Sequence, residues 1–174
     1  MPTERIQGME DAEALERLGG ELGTLLPRLR RFARALTNHA EDADDLVQLA
    51  LERAVQRVRT WDAGRPLLAW LMAIMRNAWI DELRSRQRGQ QLFVDAVHGE
   101  QVGDDAIARQ VEGMAVADAM RRLPTDQRVV VALVLVEGLS YQEAAQVLEI
   151  PLGTLTSRLS RAREALKGTL GENE

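Results

Sequence analysis

The chain has 174 residues, of which 45% are hydrophobic and 3% aromatic, so one medium domain or two small ones must be built on Leu, Val, Ala and Met. Cysteine is absent and the two histidines, His39 and His98, lie far apart, which excludes disulfides, thiolate zinc sites and a Cys nucleophile and leaves no metal or other cofactor expected. The net charge of −5 argues against a uniformly basic surface. No run approaches the roughly 20 apolar residues of a membrane span or forms a signal peptide, so a cytoplasmic protein without membrane insertion is expected.

Alanine and unbranched side chains lose little rotamer freedom in helices, and the whole chain reads as all-α. Residues 1–20 form an acidic arm, with Glu4, Glu10, Asp11, Glu13 and Glu16 against Arg5 and Arg17. Helices are predicted over 21–36 and 41–59. In the second, Val47, Ala50, Leu51, Ala54 and Val58 share one side, while Asp45, Gln48 and Glu52 share another. That acidic face would repel phosphate, so it suits a basic protein partner or plain solvent.

A third helix is predicted over 66–88, with Pro66 at a first helical position, where a missing N–H costs nothing. Leu67, Leu71, Ile74 and Ala78 form its core stripe, and Trp70, Asn77, Asp81, Arg84 and Arg88 line a neighbouring face. An aromatic, an amide and spaced arginines on one face can stack on a base and hold its backbone, although Trp70 equally suits packing at the core boundary. Polarity is mixed from about 89 to 105, with Asp95, Glu100, Asp104 and Asp105, and no period persists. The expected organisation is an arm (1–20), a helical domain (21–89), a flexible acidic linker (90–112) and a second helical domain (113–174).

In that second domain helices are predicted over 107–123, 125–137, 140–148 and 151–170. The β-branched run Val129 to Val136 could pass for a buried strand, but its place between Pro124 and Gly138 in a helical unit favours a buried helix. Ser140-Tyr141-Gln142-Glu143 reads as a capping box. A short helix, a brief turn and a longer helix from Pro151 make a helix-turn-helix, whose second helix enters the major groove. Leu152, Leu155, Leu159, Ala162 and Leu166 form its buried stripe, with Thr154, Ser157 and Arg161 opposite and Ser160 nearby. Outward Arg161 and Ser157 can reach base edges, where a bidentate Arg–guanine pair discriminates by about 1–3 kcal/mol. Arg158, Arg163 and Lys167 on the flanks suit phosphates, which fix register without reading sequence.

Three groups of residues together resemble the extracytoplasmic-function (ECF) sigma factors, the small two-domain class of bacterial RNA polymerase sigma subunits. The first is Glu41-Asp42-Ala43-Asp44-Asp45-Leu46-Val47-Gln48. The second is Trp70-Leu71 through Ile74, Arg76-Asn77 and Asp81-Glu82-Leu83-Arg84. The third runs from Leu123-Pro124 and Gln127-Arg128 through Glu137-Gly138-Leu139-Ser140-Tyr141-Gln142-Glu143-Ala144-Ala145 and Ile150-Pro151 to Ser157-Arg158-Leu159-Ser160-Arg161-Ala162-Arg163.

The resemblance implies a subunit that binds core RNA polymerase and directs promoter-specific initiation, held in check by an anti-sigma protein. It places Asp44, Asp45, Leu46, Val47, Gln48 and Glu52 at the polymerase-docking segment. Asp62, Arg65, Trp70, Arg76, Asn77, Asp81, Arg84 and Arg88 fall in the part that melts and reads the minus-ten element. Thr154, Thr156, Ser157, Arg158, Ser160, Arg161, Arg163 and Lys167 fall in the recognition helix for double-stranded DNA at minus thirty-five. Ala144 stands where the family usually has Ile, and Thr156 where Lys or Arg is frequent, which removes one phosphate contact.

Two other classes account for less of the sequence. A stand-alone helix-turn-helix regulator, dimeric on a palindrome, would use the C-terminal motif but leave the acidic face and the Trp70 stripe idle. A sigma mimic that only sequesters an anti-sigma protein would not need Asn77, Arg161 and Arg163. No nucleophile–base pair or metal cluster suggests an enzyme. Bases concentrate at 76–88 and 158–167, where only Asp81, Glu82 and Glu164 are acidic, while most of the other acids lie on the helix predicted over 41–59, the linker and the N-terminal arm. The free protein is therefore expected to bind promoters poorly until polymerase covers its acidic surfaces.

Overall fold

The computed structural model describes residues 2–62, 64–90 and 111–171, so nearly all of the expected linker, 90–112, lies outside the described residues. Among the described residues the chain is helical and contains no strand, as the sequence reading expects.

The first helix, α1 (Pro2–Thr37), is longer than predicted and takes in the acidic arm. Gly19, Gly20 and Gly23 lower its propensity by about 1 kcal/mol each relative to alanine. Leu18, Leu25, Leu29, Phe32 and Leu36 nevertheless recur at helical spacing and are buried, so tertiary packing carries the helix through the glycines. It stops at Asn38, which takes the left-handed conformation (φ 63°) that asparagine tolerates. Helix α2 (Ala40–Gln56) ends earlier than expected, and Val58–Thr60 tightens into a 3₁₀ turn. Helix α3 (Leu67–Gln90) starts one residue after Pro66, whose carbonyl accepts the Trp70 N–H at 3.3 Å. These three helices pack on one another around Leu29, Phe32, Leu71, Met72 and Met75, all fully buried.

The second group is α4 (Val111–Arg122), α5 (Thr125–Val131), α6 (Tyr141–Leu148) and α7 (Leu152–Gly171). The β-branched run is a buried helix, with Val130 and Leu133 wholly enclosed. It closes with a wider π turn, Ala132–Val136, in which the Glu137 N–H reaches the Ala132 carbonyl at 2.9 Å. Gly138 (φ 71°) then reverses the chain in the left-handed region, and the Leu139 N–H bonds the Leu133 carbonyl at 3.0 Å. This ending turns Glu137 toward α1.

The two groups pack against each other in this structure. Helix α5 lies against α1 and α6 against α3, and their buried side chains form one continuous apolar cluster. Buried Arg128 joins them at the end of α1. Its guanidinium donates to the carbonyls of Ala35 (2.6 Å) and Leu123 (2.9 Å) and to the Thr125 hydroxyl (3.1 Å). Burial pushes its pKa down, but the Ala35 carbonyl belongs to the last turn of α1, where the helix dipole favours a cation.

Candidate nucleic-acid and protein interfaces

The helix-turn-helix is built as its sequence suggests. The Ser140 hydroxyl accepts the Glu143 N–H at 3.2 Å, and the Glu143 carboxylate accepts the Ser140 N–H at 2.8 Å. Hydrogen bonding to Ser140 holds the Glu143 carboxyl below its ordinary pKa. Helix α6 ends on Glu149 in the left-handed conformation (φ 52°), with the Ile150 N–H bonded to the Ala145 carbonyl at 3.1 Å. Leu155, Leu159 and Ala162 are fully buried and Leu166 is half-buried. Leu152, expected in the same stripe, is 45% exposed. As the first residue of α7 it stands one turn beyond the packed body.

On the other side of α7, Thr156, Ser157, Ser160, Arg161, Arg163 and Lys167 are exposed. The Thr156 hydroxyl donates to the Gly153 carbonyl at 3.0 Å. Thr154 is half-buried and turns less outward than expected. Arg158 is also half-buried and lies 3.3 Å from Asp126 of α5.

On α3, Arg84 and Arg88 are exposed, and Trp70 is half-buried against Trp61, the ring centroids 6.3 Å apart. Asp81 is held by Arg53 at 2.8 Å. Arg76 is 19% exposed, donates to Asn77 Oδ1 at 3.0 Å and reaches Glu149 at 2.7 Å. The turn before α3 carries exposed Asp62 and Arg65; the Arg65 N–H bonds the Asp62 carbonyl at 2.8 Å, and Asp62 Oδ1 accepts the Gly64 N–H at 2.9 Å.

On α2, Asp44, Asp45, Gln48 and Glu52 are exposed, as the helical spacing predicts. Leu46 and Val47, expected beside them at the docking segment, are 4% and 5% exposed and belong to the protein's own core. They fall on the apolar side of the same helix, which leaves the acids and the amide as its exposed side chains there. Arg86 bridges Asp42 (2.9 Å) and Glu82 (2.9 Å) over the Trp79 ring and draws the Asp42 carboxyl below its ordinary pKa.

The sequence reading gave no role to the contact between the two halves. Glu137, with its side chain 1% exposed, accepts from Arg28 Nε at 2.7 Å and Arg31 Nε at 2.8 Å. One signal was available: Arg28 and Arg31 are three apart on one helix face, and Glu137 is the lone acid at the end of an apolar run.

Two groups of helices, the second containing a helix-turn-helix whose last helix has an exposed polar side, define the class of fold. The family description "Sigma-70 region 2" matches residues 22–89, and "Sigma-70, region 4" matches residues 113–166. The chain is 37% identical over 149 residues to the ECF RNA polymerase sigma factor EcfG of Rhodopseudomonas palustris, covering 83% of this chain and 80% of that protein. It is 35% identical over 173 residues to the ECF sigma factor SigL of Mycobacterium tuberculosis, covering 97% and 96%. The sigma factor RpoE of Bartonella quintana, solved in complex with the anti-sigma factor NepR, superimposes with a TM-score of 0.74 at 33% identity, covering 91% of this chain and 99% of that one. The chain belongs to the sigma-70 family, as an ECF-type sigma factor that directs transcription initiation. Among the described residues no helix is long and apolar enough to cross a membrane.

Proposed function

We propose that the exposed face of α7 reads the minus-thirty-five element, that α3 with Asp62 and Arg65 melts and reads the minus-ten element, and that Asp44, Asp45, Gln48 and Glu52 dock core RNA polymerase. The observation that carries this reading is the division of α7. Thr156, Ser157, Ser160 and Arg161 face solvent on the second helix of a helix-turn-helix, while Leu155, Leu159 and Ala162 anchor the opposite side. The acidic α2 face repels phosphate and is complementary to a basic protein surface. The chain lends specificity to polymerase, performs no chemistry of its own and works in the cytoplasm with polymerase and promoter. The Bartonella complex supports an anti-sigma partner for this chain as well.

On this reading the free chain is a closed form that polymerase must open. Elements about 25 base pairs apart lie about 85 Å apart at 3.4 Å per base pair. Glu149, in the turn before α7, is only 2.7 Å from Arg76 on α3. The two DNA-reading surfaces therefore cannot serve one straight promoter while packed together. Residues 91–110 extend to at most about 70 Å, enough, with the width of the units themselves, to let them part. Run-off transcription over a genomic fragment library tests the function, with gel shifts of the free chain alongside. Discrete start sites that require both chain and core polymerase are expected. Tight, salt-sensitive promoter binding by the chain alone, or an absence of discrete transcripts, would overturn the reading.

A further inference from the structure

We infer that Trp61 is a positioning residue for promoter reading, and that Arg17 links the N-terminal extension to the same task. The inference rests on the assignment of α3 and the Asp62–Arg65 turn to the minus-ten element. Neither Trp61 nor Arg17 belongs to the motifs that carry the family resemblance, and the extension itself matches none.

Trp61 stands where the 3₁₀ turn Val58–Thr60 gives way to extended backbone (φ −77°, ψ 124°). Its ring meets Trp70 of α3 at 6.3 Å with an interplanar angle of 41°. Its indole N–H donates to the Arg65 carbonyl at 3.3 Å, closing the turn that presents Asp62 and Arg65. Arg17 places its guanidinium 4.8 Å from the centre of the Trp61 ring, and Glu21 orients that guanidinium by accepting from Nε at 3.0 Å. Leu18, the next residue, is buried and fixes this part of α1 against the body. One indole thus touches the arm, the promoter-facing helix and the turn.

The geometry gives each contact a consequence. The Asp62–Gly64 and Asp62–Arg65 bonds and the indole hold Asp62, Gly64 and Arg65 in place. A base can be discriminated only if the donors and acceptors it meets stay in place before it arrives. The indole bond sets the Arg65 carbonyl relative to Trp70, and the cation over the ring sets the indole. Arg17 is therefore a positioning residue for Trp61, and Trp61 for the turn.

The test uses the full chain with core polymerase. It measures open-complex formation on a promoter and on variants of that promoter with single base changes in the minus-ten element. Trp61→Phe keeps a ring between Arg17 and Trp70 but removes the donor. It is expected to slow open-complex formation about tenfold, the scale of one net hydrogen bond, and to shrink the penalty for minus-ten base changes toward unity. Core affinity and minus-thirty-five discrimination should stay unchanged. Arg17→Ala should reproduce the loss of discrimination in weaker form, and Arg17→Lys should restore it.

Unchanged minus-ten discrimination in folded Trp61→Phe would overturn the inference. If that variant fails to fold, the surface variant Arg17→Ala decides, and wild-type discrimination there counts against it. Asn77→Ala separates this failure from failure of the site assignment. If Asn77→Ala loses minus-ten discrimination and the Trp61 and Arg17 variants keep it, only the positioning role is lost. If Asn77→Ala keeps it too, the α3 assignment falls.

Discussion

Arg28 holds Glu137 at two points: its Nε donates to the carboxylate at 2.7 Å, and its Nη2 donates to the Glu137 backbone carbonyl at 2.5 Å. Arg31 completes the cradle through two further bonds, at 2.8 and 3.2 Å. The arginines are 35% and 51% exposed while the carboxylate is 1% exposed, so the acid bears nearly all the desolvation cost. That asymmetry makes the contact conditional, since the carboxylate is tolerated there only while the guanidinium groups face it.

Removing both arginines, in an Arg28→Met/Arg31→Met variant, should therefore be harsher than removing the acid. A buried carboxylate stripped of its partners is expected to cost about 3–5 kcal/mol, and parting the two helical units relieves it. Small-angle scattering should show a larger radius of gyration for the double variant, with a smaller increase for Glu137→Gln. Identical radii for all three proteins would show that the cradle does not hold the units together.

Acid should weaken the fold through two carboxyls in particular. Glu143, bonded to Ser140, and Asp42, bonded to Arg86, both have lowered pKa values. A depressed carboxyl contributes stability that is present above its unfolded pKa, roughly 4, and is lost as pH falls through its folded value. Ser140→Ala should cost about 1 kcal/mol at neutral pH as a lost helix cap. Urea titrations at pH 7 and pH 3 should then show a smaller difference between wild type and variant at the lower pH. A constant difference would argue that the cap acts independently of the Glu143 charge.

Within α2, adjacent residues should fail in different assays. Asp45→Arg reverses a charge on the exposed face and should weaken core polymerase binding about tenfold, at the scale of one interfacial ion pair, without changing stability. Leu46→Ala empties a buried position and should cost about 2–5 kcal/mol in urea denaturation. Unchanged core affinity in Asp45→Arg would remove this face from the docking assignment.

Helix type and burial were legible in the sequence wherever spacing repeated over several turns: α2, α3 and α7 largely follow the three-and-four pattern. The capping box was legible because its two bonds are local. What escaped were features set by tertiary contact. The continuation of α1 through Gly19 and Gly20 depends on burying Leu18, which no local propensity reveals. Spacing places Val47 on the apolar side of α2, yet the motif also assigns it, with Leu46, to docking; helix phase points both inward. The Arg28–Glu137 contact joins residues 109 apart in sequence, and the π turn that aims Glu137 leaves no periodic signature. Trp61 entered none of the sequence patterns, because what sets it apart is three contacts that converge from three elements.

Arg161 offers the sharpest test of the recognition helix. It lies on the exposed side of α7 with Ser157 and Ser160, while Arg163 and Lys167 are exposed further along the helix. A base-reading arginine and a phosphate-binding lysine should fail differently. Arg161→Ala is expected to cost about 1–3 kcal/mol at one position of the minus-thirty-five element and to relax the base preference there. Lys167→Ala should weaken all promoters about equally and reduce the salt dependence of binding by about one phosphate contact. Core polymerase affinity should be unchanged in both. Holoenzyme binding to a set of promoters with single base changes at minus thirty-five, measured at several salt concentrations, separates the two. A uniform loss with Arg161→Ala would move that residue to the phosphate-binding group and leave Ser157 and Ser160 as the remaining base readers.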